Sequence, residues 1–467
     1  MHNKSELSYI KAPPLVGLHN AIRRDSLHHP SLLNTRNLNI RSTTVEMVVF
    51  LPYTIEYIHA REILDSRGNP TIEVDLATPS GFGRADVPSG ASTGTNEALE
   101  LRDGDDKRYN GKGVLKAVEN VNTTLRNEII GMDVREQRTI DQTMINLDGT
   151  PDKSKFGANA ILGISMAAAK AAADSVDLSL YRYLGGIRAR VLPCPTMNVL
   201  NGGRHAGNDL AIQEFMIQPK GASSCTESIR IGAEVYHELK HILVTKYGSG
   251  AGNVGDEGGY APPMDRTNQA LDAIVAAIEE SGYTTSEVTL GIDAAASEFF
   301  KNGKYHIDGA ELDSGEMIDY YLDLVKTYPI LLIEDPFHEE AFDDFAQLTS
   351  ATDRIIIGDD IFVTNMSRLQ HGIDIGAANA LLLKLNQIGT VSEAFDAASL
   401  AHRNGYRVVV SHRSAETGDS MIADVAVAVG ADLLKTGAPA RSERTSKYNQ
   451  LIRIEEELGE AARFVRL

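Results

Sequence analysis

Residues 330–334 read Ile-Leu-Leu-Ile-Glu, four aliphatic positions closed by a carboxylate, and the second half of the chain repeats that design five more times. The others are residues 288–293 (VTLGID), 355–359 (IIIGD), 380–384 (ALLLK), 408–412 (VVVSH) and 432–435 (DLLK). Short apolar runs rich in Leu and β-branched residues, with no polar alternation, predict strands buried on both faces, as a helix-covered parallel sheet requires. The charged residue marks where each strand leaves the core. If the strands run parallel, Asp293, Glu334, Asp359, Lys384, His412 and Lys435 gather at one rim. Three carboxylates, two amines and an imidazole then face one another, which is the layout of an active site.

From Glu334 onward these polar ends fall 25, 25, 28 and 23 residues apart, the length of one strand and its returning helix. Residues 317–328 and 392–404 supply helical patterns between them. The longer interval before Glu334 also holds residues 299–307, where Asn302-Gly303 predicts an extra hairpin turn. Two earlier apolar runs, residues 196–200 and 211–217, precede amphipathic helical stretches at 226–246 and 266–280. They bring the strand count to eight, the number that closes a β/α barrel. An open doubly wound sheet satisfies the same alternation, but no Gly-rich dinucleotide fingerprint accompanies the strands.

Upstream, residues 55–188 predict an α+β domain. Residues 57–64 and 71–78 flank the turn-rich 65–70 (DSRGNP) as a hairpin, and 82–87 add a third strand. Helical stretches follow at 96–102, 114–130, 134–147 and the Ala-rich 157–174. Pro193 and Pro195 punctuate the passage into the barrel domain, residues 189–467. Residues 1–54 form an N-terminal extension that is basic, rich in Ser, Asn and His, and without a hydrophobic period. An organelle-targeting leader, a disordered tail and translation assigned from a start upstream of Met47 all account for it.

At 467 residues the chain is too long for one core, and its 42% apolar and 23% charged residues are those of a soluble globular protein. A formal charge of −19 argues against nucleic acid or an anionic membrane as partner, so any anionic substrate must be held by local cations. Two cysteines, Cys194 and Cys225, are too few for a disulfide framework and predict a reduced, cytoplasmic setting. No apolar stretch approaches the roughly 20 residues that span a bilayer.

Asp293, Glu334 and Asp359 lie on consecutive strands about one spacing apart. Anions so placed repel, and a hard divalent cation, Mg2+ above all, is their natural counter-charge. Asp335 and Asp360 follow directly as outer-shell or substitute ligands. Lys384 ends a buried strand, where desolvation lowers an amine's pKa and opens the neutral, basic form. Lys435 is placed alike. His412-Arg413-Ser414 offers an imidazole, a planar guanidinium and a hydroxyl suited to a phosphate or carboxylate. Three glycine-bearing loops add Ser92 (residues 89–94, SGASTG), His205 (201–207, NGGRHAG) and Glu257 (253–259, NVGDEGG). With Glu214, Glu257 makes a pair of acids whose burial keeps a proton available.

The chain resembles the enolase family from about Ile58 to Phe464. The likeness is carried by residues 89–94, 156–163 (FGANAILG), 201–207, 213–217 (QEFMI), 253–259, 334–337 (EDPF), 382–389 (LLKLNQIG), 411–414 (SHRS) and 435–444 (KTGAPARSER). Long motifs in this order are highly specific. The resemblance implies an enolase-type ββαα(βα)6 barrel behind an N-terminal α+β domain, a homodimer, and reversible dehydration of 2-phosphoglycerate to phosphoenolpyruvate in glycolysis and gluconeogenesis. It implies two Mg2+ per active site, the first held by Asp293, Glu334 and Asp359, the second by Ser92 with substrate phosphate. A lysine or histidine base with Mg2+ is how sites of this superfamily are generally described. Lys384 would remove the proton beside the substrate carboxylate, and Glu257, supported by Glu214, would protonate the departing hydroxyl. Arg413 and Ser414 would hold the phosphate, and His412, His205 and Lys435 would bind substrate and stabilise developing charge. Ala415, Arg204 and residues 432–434 depart from the usual family pattern without removing a catalytic side chain. Two alternatives remain on sequence alone: another enolase-superfamily acid dehydratase or cycloisomerase, disfavoured by SHRS, KTGAPARSER and SGASTG, and a noncatalytic binding protein that retains the fold.

Overall fold

The computed structural model describes residues 51–90 and 94–467, except for the side chains of Arg204 and His205. Ser92 and the N-terminal extension up to residue 50, with its targeting, tail and upstream-start readings, lie outside the described residues. Chain packing starts slightly ahead of residue 55: Thr54 bridges Asp133, and Val134 N donates to the Tyr53 carbonyl at 2.8 Å.

Strands β1 (Tyr57–Leu64), β2 (Pro70–Ala77) and β3 (Phe82–Asp86) form an antiparallel sheet in that order. The first turn closes because the Asp65 carboxylate accepts the N–H groups of Arg67 and Asn69 while Gly68 takes a left-handed φ of 73°. The Ala-rich helix Ala158–Ser175 lies on β2 and β3 and is buried along almost its whole length. Small side chains allow that approach. A Cβ at Gly83 would stand 2.0 Å from the Ala167 carbonyl oxygen, so the sheet and helix backbones nearly touch there.

The second half closes into a barrel of eight strands: β4 (Cys194–Asn201), β5 (Glu214–Gln218), β6 (Thr289–Asp293), β7 (Ile330–Glu334), β8 (Ile355–Gly358), β9 (Ala380–Leu383), β10 (Arg407–Ser411) and β11 (Leu433–Lys435). Strands β6 to β11 pair in parallel with one another and β11 pairs in parallel with β4, so the six charged ends do meet at one rim. Strand β5 runs antiparallel to both neighbours. Its first residue, Glu214, therefore sits at the rim where the other strands end. Cys194, Met216, Leu332, Ile357, Leu382, Val409 and Leu433 make a cluster of their own, as alternate residues facing a barrel interior do, while the residues between them join the larger core under the helices.

The Asn302-Gly303 hairpin is present, with φ of 52° and 77° at its two turn residues, and a third short strand, Ala310–Leu312, extends it. One predicted helix is absent. Residues 96–102 run without helical structure, because their backbone is claimed by other parts of the molecule. Ala98 N donates to the Gln387 carbonyl, Leu99 N to that of Asp152, and Leu101 N to Asn159 Oδ1.

Candidate active site

Register sets the spacing of the rim. Glu334 stands opposite Asp293 on one side and Ile357 on the other, and Asp293 stands opposite Glu214. All of these acids and Asp359 are buried. Lys435, across the barrel mouth, places Nζ 2.8 Å from Asp293 Oδ2, 2.7 Å from Glu334 Oε1 and 3.3 Å from Glu214 Oε2. Asp359 is ion-paired with Lys384, and its other oxygen accepts from Gln387 Nε2 at 2.7 Å. The second oxygen of Glu334 is buried with no hydrogen-bond donor among the described residues.

Such crowding moves proton affinities in opposite directions. Burial, and then the neighbouring Asp293, pushes the Glu334 carboxyl well up; burial and then Glu257 does the same to Glu214. Asp360 rises to about 8 through burial and the adjacent Asp359. For Asp359 itself burial also opposes ionisation, but the Lys384 ammonium outweighs it and holds the carboxyl below its usual range. The same pair corrects the expectation for Lys384. Its side chain is 13% exposed, and desolvation does press its pKa down, but Asp359 overrides that and leaves it raised. Lys435 is raised further by its three carboxylates.

Opposite these acids sits the His412-Arg413-Ser414 turn. Arg413 makes a two-pronged ion pair with Glu97, at 2.9 and 3.1 Å, and donates to Asn386 Oδ1 at 3.1 Å. Glu257 enters from its loop; Asn198 Nδ2 donates to its Oε2 at 3.0 Å, and His412 Nε2 lies 3.3 Å from the same oxygen. Burial pushes the His412 imidazole down to about 4, so it is neutral. One small cavity is lined by Glu214, Glu257, Asp293, Asp359, Lys384, His412, Arg413, Ser414 and Lys435. Nine sequence candidates thus share a wall, and Glu334 is joined to it through Lys435.

His205 belongs to the single turn Gly203–Ala206 that follows β4 at the rim, and its side chain is outside the described residues. Ser92 is outside them too, but both flanks of its loop are tied to the site. Ser89 exchanges backbone hydrogen bonds with Ala415, at 2.9 and 3.0 Å, and Gly94 N donates to Glu97 at 3.1 Å. Among the described residues, Asp335, Asp359 and Asp360 each offer a carboxylate oxygen within 4.8 Å of the other two. Asp335 is engaged as a brace, accepting the N–H groups of Asp359 and Asp360 at 2.9 and 2.8 Å.

Sequence reasoning passed over four contributors. Glu97 lay in a stretch read as helix. Gln387 and Arg444 lie inside quoted motifs, LLKLNQIG and KTGAPARSER, but have no charge partner visible in sequence. Asn198 sits in the middle of an apolar run, where a buried polar residue was itself the available signal.

Comparison with known proteins gives a consistent result. Residues 189–466 match a family described as enolase, C-terminal TIM barrel domain, and residues 55–184 match enolase, N-terminal domain. A protein named enolase from Methanococcoides burtonii is 70% identical over 416 residues, covering 89% of this chain and 98% of that protein. Proteins of the same name from Pyrococcus furiosus and Methanocaldococcus jannaschii are 61% identical over 412 residues and 60% over 408, each covering 87% of this chain and 96% of the relative.

Proposed function

This chain belongs to the enolase family and is a lyase that interconverts 2-phosphoglycerate and phosphoenolpyruvate; we propose that it does so with Lys384 as base, Glu257 as acid and Mg2+ as electrostatic partner. One observation carries the allocation. A partly buried amine, Lys384, and a buried acid, Glu257, line a single cavity together with Asp293, Asp359 and the Arg413-Ser414 pair.

A proton beside a carboxylate is very weakly acidic, since its removal puts a second negative charge on an existing anion. The donor set fits a hard cation: Asp293, Glu334 and Asp359 come from consecutive strand ends, and Glu334 Oε2 is buried without a donor among the described residues. These three residues would hold the first Mg2+, and Ser92 would contribute to a second. When bound, Mg2+ supplies positive charge that stabilises the enediolate. Lys384 takes the proton. Desolvation favours the neutral amine and pairing with Asp359 opposes it, so an Asp359 engaged elsewhere would leave Lys384 the neutral, basic form it needs. Glu257, beside the high-pKa Glu214, gives its proton to the leaving hydroxyl. Arg413 and Ser414 hold the phosphate, and His412, His205 and Lys435 hold the rest of the substrate and balance its growing charge. A homodimer and a cytoplasmic location accompany this reading, supported by the family likeness and by two unpaired, buried cysteines.

Absorbance of phosphoenolpyruvate forming from 2-phosphoglycerate tests the proposal. Turnover is expected with Mg2+ and lost on chelation; no turnover with the metal supplied, or full turnover after chelation, rules it out.

A further inference from the structure

The Arg444 guanidinium is fully buried and takes no part in the chemistry above, yet it touches every side of the His412 turn. Its Nη1 contacts His412 Nδ1 at 2.6 Å and donates to the Arg413 carbonyl at 2.7 Å. Its Nη2 donates to the carbonyls of Ser414 at 2.6 Å and Asp256 at 3.1 Å. Three carbonyls from two loops therefore fix the plane of the group before the imidazole meets it. Its stem passes close against Gly437, where φ is 78° and a Cβ would stand 2.9 Å from Arg444 Cδ.

A guanidinium carries donors only and keeps its protons in proteins. Nδ1 of His412 must then be the accepting nitrogen and bear no proton. Burial, aided by the Arg444 charge and against the pull of Glu257, keeps the ring neutral. Its single proton accordingly sits on Nε2, 3.3 Å from Glu257 Oε2. That approach is not aligned as a hydrogen bond, and among the described residues Nε2 has no other acceptor. Asn198 Nδ2 already donates to the same oxygen at 3.0 Å.

We propose that Arg444 is a positioning residue that sets the tautomer of His412 and so decides whether the imidazole presents an N–H or a lone pair to Glu257. With Nε2 protonated, the imidazole turns an N–H rather than a lone pair toward Oε2, the oxygen to which Asn198 donates. The opposite tautomer would turn a lone pair toward Oε2 and make the imidazole a competitor for the proton. No bond is made or broken by Arg444 itself. The catalytic half of this inference rests on Glu257 acting as the acid.

Long-range 1H–15N correlation of 15N-histidine-labelled protein separates a ring protonated at Nε2 from one protonated at Nδ1, and His412→Asn identifies the His412 signals by their loss. The parent protein is expected to show the Nε2–H form alone. Arg444→Lys, which keeps a donor, retains it. Arg444→Met loses it as the single form, and its kcat falls by about tenfold or more with KM little changed. A charged or Nδ1–H ring in the parent overturns the proposal, even if Arg444→Met does not fold. An unchanged tautomer in folded Arg444→Met overturns it as well. Turnover of 2-phosphoglycerate by the parent is measured in parallel: its absence refutes the dehydration chemistry while the tautomer assignment stands or falls on the spectra.

Discussion

Asp86, at the end of β3, shows how a residue's setting outweighs its type. Its carboxyl rises from an ordinary 3.8 to about 7, first through burial and then because Asp419 faces it, with Glu73 adding to the effect and Lys170 opposing it. Between those two values the folded chain holds a proton that the unfolded chain has released, so this group's contribution to stability declines as pH rises through the window and is level above it. Asp86→Asn is neutral in both states. Its melting temperature relative to the parent is therefore expected to climb between pH 4 and 7 and then flatten; a difference independent of pH contradicts the placement. At the rim, the residue types and their strand-end positions were legible in the sequence, because buried charges at the ends of apolar runs are conspicuous. Their partners were not. The pairing of Lys384 with Asp359, which reverses the expected direction of its pKa, depends on register between strands that sequence spacing leaves open.

Elements were readable where one periodicity ruled. The six strands ending in charges, the Asn302-Gly303 turn and the Ala-rich helix all follow from local pattern and turn chemistry. The direction of β5 did not, since an apolar run of five residues looks the same in either sense. That direction matters, because it puts Glu214 rather than Gln218 at the rim. Residues 96–102 failed as a helix for another reason: Leu, Glu and Ala favour helix, but hydrogen bonds to Gln387, Asp152 and Asn159 claim the backbone. The contact between β3 and helix Ala158–Ser175 gives a mechanical test. With a Cβ at Gly83 only 2.0 Å from the Ala167 carbonyl, Gly83→Ala must push two backbones apart. Such overpacking costs about 1–3 kcal/mol, so chemical denaturation should show a lowered midpoint; an unchanged midpoint would mean that the helix moves away freely.

At the scale of the molecule, the N-terminal sheet and its loops complete a site that the barrel builds only in part. Ser89 pairs with Ala415, Glu97 grips Arg413, Asn386 donates to the Pro88 carbonyl, and Lys153 reaches Glu393 at 3.1 Å. The residues on either side of 91–93 are thus anchored to the turn expected to hold phosphate. Bringing a loop of one part of the chain onto a residue more than 300 positions away is a long-range contact, invisible to local pattern. The division of the rim into a base on one side and an acid on the other is tested most directly by exchange of the 2-phosphoglycerate C2 proton with deuterated solvent, followed by NMR with Mg2+ present. Glu257→Gln should still exchange that proton while forming almost no phosphoenolpyruvate, and Lys384→Ala should do neither. Exchange that survives in Lys384→Ala would contradict the assignment of the base and with it the central claim.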